Sequence, residues 1–451
     1  MFLNHDIQNE IIRRRDMRDV FTFTIDPADA KDFDDAISFQ TVEEGYQIGV
    51  HIADVSFYVR PGTKVDDDAY QRGTSVYLVD RVLPMLPEEL CNDKCSLRPN
   101  EDKLCMSVIF TMDADAHVLK YKICRTVIRS NARLNYDEAQ EIINPSQTSN
   151  TSHTSNTSHT SNTSALATAL TTLNSLATKL RAERIANGAL TIEQDEMRFK
   201  LDEHGYPTEI YFEQPNEAHH LIEEFMLLAN KTVAKAVGSG RPFVYRVHDV
   251  PDAEKLEEIK KFKRQCAMTA KMRHHAVSQE TIDRAINMLT IRAQAKAVYS
   301  TYNIGHYGLA FSHYTHFTSP IRRYPDLMVH RLVEKYILTG KPISLTREEL
   351  EEKCEHCSAC EQDATQAERD SIKQFQALWM KEHVGEILNG HISGVTDFGF
   401  FVQLDESRCE GLIHMTTIEH PEDYVLGDPV TVQVVRVDIN RAQIDFEMVQ
   451  S

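Results

Sequence analysis

Five aspartates fall within the ten residues DPADAKDFDD at positions 26–35, and four of them, Asp26, Asp32, Asp34 and Asp35, are spaced 0, +6, +8 and +9. Carboxylates this close repel, raise one another's pKa and strain a fold unless a cation offsets them. A hard divalent ion does so, because it takes oxygen ligands from a few carboxylates together with the phosphates of a substrate. The spacing suits a strand end followed by a tight turn: Asp32 and Asp34 project to one side of an extended segment, the turn redirects Asp35, and Asp26 returns from the preceding strand. One or two metals there would activate water and stabilise both oxygens of an in-line phosphoryl displacement. An exposed acidic turn, the usual fate of aspartate runs, stands as the other reading; Phe33 inside the run and apolar strands on both sides weigh against it. A calcium loop of the EF-hand kind would need a central glycine and a terminal glutamate that this stretch lacks.

A second constellation, HYTHFTSPIRRYPDLMVHR (313–331), combines histidines, aromatics and the adjacent Arg322 and Arg323. Its first proline predicts a helix beginning at Ile321, with Ser319 before it and Arg322 in its first turn, a ready site for a phosphate. An arginine there opposes the helix dipole, which points to some use other than helix stability. The i, i+3 spacing also suits a structural pair between Arg323 and Asp326. CEHCSAC carries Cys354, Cys357 and Cys360, but a ferredoxin-like run would need a fourth cysteine after them. The surrounding composition is helical, so the spacing reads as one packed helix face, with a zinc or iron–sulfur site as the alternative.

Strands must position the aspartates. VFTFTI precedes them and YQIGVHIADVSFYV follows, both β-branched and alternating, and KLCMSVIFTM and LKYKICRTVIRS continue the pattern. Residues 1–20 read as a charged helical lead-in without a core of its own. TSNTSHTSNTSHTSNTS (148–164) repeats small polar residues that cannot offset their ordering entropy, so 146–166 is expected to be a flexible insertion. Beyond it the chain turns largely helical, and from His383 five short strands with Gly and Asp turns give the signature of a small barrel. The expected organisation is an α+β body over 21–382 and a five-stranded OB-fold barrel over 383–451.

The chain of 451 residues is 41% hydrophobic, enough to bury large cores. No apolar run approaches the ~18 residues of a membrane span, and MFLNHDIQNEIIRRRDMRD is too charged for a secretory signal. Nine cysteines, an odd and scattered set, fit a reducing compartment, so a cytoplasmic protein that does not enter the membrane is expected. Acidic residues outnumber basic ones 68 to 49, a net charge of −19 that argues mildly against a nucleic-acid partner. KKFKRQ (260–265), SPIRRY (319–324) and ICRTVIRSNAR (123–133) are basic islands that could line a channel inside an acidic shell, or solvated faces.

TIDPADAKDFDDA, RGTSVYLVDRVLPMLPEELC, HLIEEFMLLAN, YRVHD and HFTSPIRRYPDLMVHR, in that order, closely resemble the catalytic (RNB) domain of the ribonuclease II and ribonuclease R family. The terminal barrel resembles the S1 RNA-binding domain that follows it there, and together the match covers roughly residues 11–451 apart from the Ser/Thr tract. The resemblance implies a monomeric, magnesium-dependent, processive 3′-to-5′ exoribonuclease acting on single-stranded RNA 3′ ends. It would use one or two Mg2+ ions, with Mn2+ as a substitute and no nucleotide cofactor, and release nucleoside 5′-monophosphates. Asp26, Asp32, Asp34 and Asp35 would then be the metal and catalytic carboxylates, and Arg322 would contact the scissile phosphate beside Ser319. Tyr77 would stack on the terminal nucleotide, while Tyr136 and Glu223 would contact RNA sugars and sense the 2′-hydroxyl. Phe398, Phe401 and His414 would form the barrel's stacking face, with Phe400 in its core.

The sequence also departs from the family. Cold-shock-type domains, common before the RNB domain, are not seen here, and Ile192 stands where a clamp phenylalanine is common. The S1 loop between Ile418 and Asp428 reads as short. A non-catalytic RNA-binding protein on the same scaffold is the alternative.

Overall fold

The computed structural model describes residues 4–145, 160–191, 195–269, 279–341, 345–418 and 420–449. Residues 146–159 and Ile192 lie outside the described residues, and the end of the stretch expected to be a flexible insertion, residues 160–166, instead opens a helix that runs Thr160–Ala186. Helix α1 (Asn4–Arg13) and the short strand β1 (Arg15–Asp16) lead into β2 (Thr22–Asp26), β3 (Asp35–Val42) and β4 (Gly45–Ala53). Helices α2 (Val55–Tyr58) and α3 (Lys64–Arg72) and the hairpin of β5 (Val76–Tyr77) with β6 (Val82–Leu83) leave the sheet before β7 (Asp102–Met112), β8 (Val118–Arg129) and β9 (Ala132–Asn135) rejoin it. The sheet runs β1-β8-β7-β4-β3-β2-β9 and is antiparallel except at its margins, where β1 runs with β8 and β9 with β2.

All but the first residue of β7 are buried, as a strand covered on both faces requires. Four polar side chains inside the sheet satisfy one another across the strands: the His51 ring nitrogens lie 2.8 Å from the Ser107 and Ser38 hydroxyls, and Ser107 lies 2.6 Å from Thr126. The lead-in segment shares this body's core. Met17 is 2% exposed, and Arg14 donates to Asp54 at 2.7 Å with both side chains out of solvent.

From β9 the chain turns at the Asn135 cap, whose side chain forms a capping box with Glu138, into α4 (Tyr136–Ile143). The remaining elements are α5 (Thr160–Ala186), the hairpin β10 (Glu196–Leu201) and β11 (Pro207–Glu213), α6 (Glu217–Gly238), β12 (Tyr245–Val247), α7 (Ala253–Thr269), α8 (Gln279–Ala293), β13 (Val298–Ser300), α9 (Tyr324–Val333) and α10 (Arg347–Met380). Helix α6 buries Leu221, Phe225, Ala229, Val233 and Val237, a repeat of four residues that turns one face to the core.

Helix α9 corrects the sequence expectation. It starts at Tyr324, with Pro325 in its first turn and Arg323 at the cap in an extended conformation (φ −134, ψ 121), and not at Ile321. Ser319 to Arg322 form a tight turn in which the Ser319 carbonyl accepts from the Arg322 and Arg323 amides at 3.3 and 3.0 Å. Pro325, not Pro320, supplies the preorganised φ of a helix start. In α10, Cys354 and Cys357 are each 1% exposed and Cys360 is half-buried with its thiol 3.7 Å from the Gln71 carbonyl, the packing that one helix face turned to the core produces.

Strands β14 (Ile387–Thr396), β15 (Gly399–Leu404), β16 (Glu410–His414), β17 (Pro429–Asp438) and β18 (Gln443–Met448) close into a barrel in the order β14-β15-β16-β18-β17. Its core of Ile392, Phe400, Val402, Ile413, Val432, Val434 and Phe446 is separate from that of the large sheet and takes in Met380, so the end of α10 is rooted in the barrel. The architecture is therefore the expected α+β body with a five-stranded barrel. No described helix is long and apolar enough to cross a membrane.

Candidate active site

The eight residues between β2 and β3 are pulled inward by Phe33. Its ring is 7% exposed, its amide donates to the Ser96 hydroxyl at 3.0 Å, and its carbonyl accepts from the Leu97 amide at 3.0 Å. The Arg133 guanidinium lies 5.5 Å from the Phe33 ring centroid and donates to the carbonyls of Pro27 and Ala28 at 3.0 and 2.6 Å. With both ends and the middle of the loop fixed, its carboxylates face the protein: Asp34 is 5% exposed, and Asp26, Asp32 and Asp35 are half-buried. The exposed-turn reading fails on this burial.

Burial raises the pKa of all four. Asp26 and Asp34 are pushed well above the ordinary value, Asp26 further by the charge of Asp35 and Asp34 further by Asp32 and Asp35. Burial raises Asp32 as well and pushes Asp35 up to about 6, against the pull of Arg322 in both cases. Asp34 Oδ1 accepts the Ile321 amide at 2.8 Å, whereas Asp34 Oδ2 and Asp26 Oδ2 are buried without a hydrogen-bond partner. Two such oxygens in a crowd of like charges are the donor chemistry a hard cation satisfies. The charges of Asp26, Asp32, Asp34 and Asp35 act on one another, so the groups are neighbours, but no three of them converge into a metal-holding set in this structure.

The Ser319–Arg323 corner meets this loop. Arg322 Nε is 3.7 Å from Asp34 Oδ2, and its Nη2 donates to the Ser319 hydroxyl at 3.0 Å. The corner is fixed from behind, because the Arg322 carbonyl accepts from the Ser75 amide at 2.9 Å and the Thr74 hydroxyl at 3.0 Å. Arg323 turns the other way and donates to the fully buried Asp326 at 2.8 Å, the structural pair anticipated for it. Arg322, its side chain 41% exposed, is thus the arginine left open to a ligand. Two residues after Ser75, Tyr77 is 40% exposed. Burial raises its phenol against Arg322, with Asp32 and Asp34 adding to the rise, so it borders the same charges.

Tyr136 reaches the cluster from the other side, since β9 runs beside β2 with Asn135 opposite Asp26. Burial, then Asp35 and Asp26, raise its phenol. Its ring stacks on His219 at 3.7 Å and 12°, and His219 Nδ1 is held 2.8 Å from the Asn216 side-chain oxygen at the start of α6. Sequence reasoning missed His219; its signal was a histidine three residues beyond a capping asparagine. Glu223 lies one turn along the same face of α6 and is ion-paired to Arg184 at 3.3 Å and Arg181 at 3.9 Å, so the structure sets it beside the cluster's tyrosine and not among the carboxylates. The basic island at 123–133 proves structural, with Arg125 3.2 Å from Glu334, Arg129 2.6 Å from Asp102, and Arg133 on the loop carbonyls.

On the barrel, Phe398 is 56% exposed and its ring meets Phe401 edge to face at 6.0 Å, while Phe400 is 1% exposed in the core. His414 is exposed at the end of β16, opposite Gly399. Phe398 and Phe401 border a cleft of about 570 Å³ whose other wall includes Asp370 and Lys373 of α10.

The RNB domain model matches residues 14–339 and the S1 RNA binding domain model matches residues 381–448. The chain belongs to the RNB family. All of α10 falls between the RNB and S1 matches. Ribonuclease R of Aquifex aeolicus is 41% identical over 98% of this chain and 66% of its own length. Mycoplasma genitalium RNase R, solved in complex with ribose methylated single-stranded RNA, superposes with a TM-score of 0.86 at 26% identity, covering 100% of this chain and 73% of that one. Yeast Ssd1, described as a pseudonuclease, shares the RNB fold at a TM-score of 0.71 and 20% identity, covering 95% of this chain and 54% of that one. The chain spans slightly less than two thirds of the length of its Aquifex relative.

Proposed function

We propose that this RNB chain is a hydrolytic exoribonuclease that shortens single-stranded RNA from its 3′ end, processively, releasing nucleoside 5′-monophosphates. The observation that carries the reading is the set of four inward carboxyl groups with two unpartnered oxygens beside the open Arg322. Asp26, Asp32, Asp34 and Asp35 would hold one or two Mg2+ ions, with Mn2+ able to replace them. The metal, when bound, supplies an activated water and charge neutralisation at the phosphate. Arg322, fixed by Ser319, binds a scissile-phosphate oxygen and offsets the charge that builds in the transition state. Tyr77 stacks on the terminal base, Tyr136 on its His219 support meets the ribose, and Glu223 meets a sugar further along. Phe398, Phe401 and His414 hold the strand by sequence-indifferent stacking.

The pseudonuclease on the same fold keeps a non-catalytic RNA-binding reading in view. Against it stands the electrostatic cost of the buried carboxylates, which a protein that only binds RNA has no use for. The test is a magnesium titration on 5′-labelled single-stranded RNA. Stepwise shortening that EDTA abolishes supports the enzyme, and Asp34→Asn should bind the same RNA without cutting it. Binding by the wild type with no shortening at any magnesium or manganese concentration would leave the non-catalytic reading.

A further inference from the structure

Helix α10 lies in neither matched domain, yet it joins the acidic site to the barrel. On one side it holds the β5–β6 hairpin: Glu368 Oε1 accepts from the Tyr77 amide at 2.9 Å, and the Ser371 hydroxyl accepts from the Val79 amide at 3.1 Å. On another it packs against the turn Ile439–Arg441 and against β18, and there Asp370, Lys373 and Gln374 close the cleft of about 570 Å³ that Phe398 and Phe401 border. At about 100° of rotation per residue, Lys373 sits about 170° around the helix from the midpoint of Glu368 and Ser371. The cleft and Tyr77 therefore lie across α10 from one another.

The cleft has the size of a small-ligand site, and much of its polar lining is uncommitted. Among the described residues the exposed Lys373 ammonium has no hydrogen bond or ion pair, and neither has the Gln374 amide. Arg441, on the turn that α10 packs against, is 4.0 Å from Asp438, at the edge of ion-pair range. Of the acidic groups in the lining, Asp370 accepts from Gln366 at 2.8 Å and Asp445 from Arg436 at 2.9 Å, which leaves Glu410 open. A solvated helix face accounts for an exposed lysine by itself. It does not account for a lysine that shares one concavity with a weakly held arginine and two aromatic rings standing edge to face at 6.0 Å.

We propose that Lys373 is an RNA-contacting residue, its ammonium paired with a backbone phosphate of the nucleotide whose base stacks on Phe398 and Phe401, with Arg441 on a neighbouring phosphate. This rests on the RNA-binding part of the reading above and turns the barrel's stacking face into a site with two walls, one of them outside the barrel. A carboxylate repels phosphate, so the backbone runs along Lys373 and Arg441 while the base edge turns to Glu410. That group accepts from the ring or amino N–H that each of the four bases carries, so the site stays tolerant of sequence. Because α10 stands between the cleft and Tyr77, the nucleotide at Lys373 lies upstream of the 3′ end, and the strand must pass the helix to occupy both places.

The test measures binding of fluorescein-labelled single-stranded RNA to the full chain in EDTA over a range of salt concentrations. An RNA of about 20 nucleotides exceeds the ~4–16 that one OB fold occupies. Each phosphate contact to a single strand contributes about 0.7 to the slope of log K against log salt, so Lys373→Ala should make that slope shallower by about 0.7, and Lys373→Arg should keep it. Bound RNA should also protect Lys373 several-fold from acetylation by an N-hydroxysuccinimide ester, read by mass spectrometry of the wild type. A wild-type slope in Lys373→Ala, or equal acetylation of Lys373 with and without RNA, overturns the inference and leaves the ribonuclease reading intact. Both measurements are made without metal, so a chain that binds RNA with the expected slope and protection but never cuts it supports the inference and overturns the nuclease reading alone. A wild type that binds no single-stranded RNA overturns both.

Discussion

Asp35→Asn should make the metal-free protein more stable while removing its activity. Asp35 opens β3 opposite Ile52, and burial pushes its carboxyl up to about 6 from an ordinary 3.8. A raised carboxyl pKa means that the folded state binds the proton more tightly than the unfolded chain, so stability is lost as pH rises toward the folded value. Above both values the cost is the difference of about 2.2 pKa units at 1.36 kcal/mol each, about 3 kcal/mol at pH 8. At pH 4.5, where the folded carboxyl is protonated and the unfolded one mostly ionised, the same linkage leaves about 1 kcal/mol. Solvent reaching this half-buried group trims both figures. The asparagine variant, with no charge to bury, should therefore melt several degrees higher than wild type in EDTA at pH 8, with the gain shrinking at pH 4.5. Magnesium should reverse the order, since saturation at a thousand times Kd adds about 4.1 kcal/mol to a protein that binds it and nothing to one that does not. Circular dichroism is the suitable probe, because the single tryptophan, Trp379, packs at the barrel end of α10 and reports that end alone. A variant no more stable than wild type at pH 8 in EDTA, or an equal gain at both pH values, would refute the claim that these carboxylates strain the empty site.

Arg322→Lys should lower kcat by about a hundredfold with little change in RNA affinity, because a lysine cannot keep both the Ser319 contact and a directed bond to phosphate; single-turnover rates beside filter binding check it. Arg323→Ala should instead destabilise the fold by about 3–5 kcal/mol, since it leaves Asp326 charged and buried with the Ser319 amide in place of an ion-pair partner, and urea denaturation measures that loss. Phe398→Ala should weaken single-strand binding by about 1–3 kcal/mol without changing its salt dependence, as removal of a stacking ring does and removal of a phosphate contact does not; titrations at two salt concentrations separate them.

Local chemistry made much of the site legible before any fold was known. Phe33 inside an acidic run between two apolar strands weighed against an exposed turn, and the structure shows the residue 7% exposed, its amide on Ser96 and its ring beside Arg133. The barrel's five strands and the split between a core Phe400 and an outward Phe401 follow from alternation along β15, whereas Phe398 is exposed because it sits in the turn before that strand. The start of α9 was misplaced because two prolines five residues apart each could open a helix, and only the tertiary bonds from Ser75 and Thr74 to the Arg322 carbonyl hold residues 319–322 in a turn.

Partners distant in sequence were not legible. The histidine support of the site, His219 under Tyr136, depends on a neighbour brought in by α6, and a histidine's surroundings decide whether it is ligand, donor or filler. The same limit applies to charge. A net of −19 argued mildly against a polynucleotide partner, yet among the described residues most arginines near the sheet are committed to particular carboxylates or carbonyls, and it is the open Arg322 beside Asp34 that gives the site its sign. Net charge is a sum over the whole surface, whereas a binding site is defined by the few groups left open to a ligand, so the proposed recognition of RNA rests on Arg322, 41% exposed beside Asp34, and on four carboxyl groups raised by burial, and not on an overall basic surface.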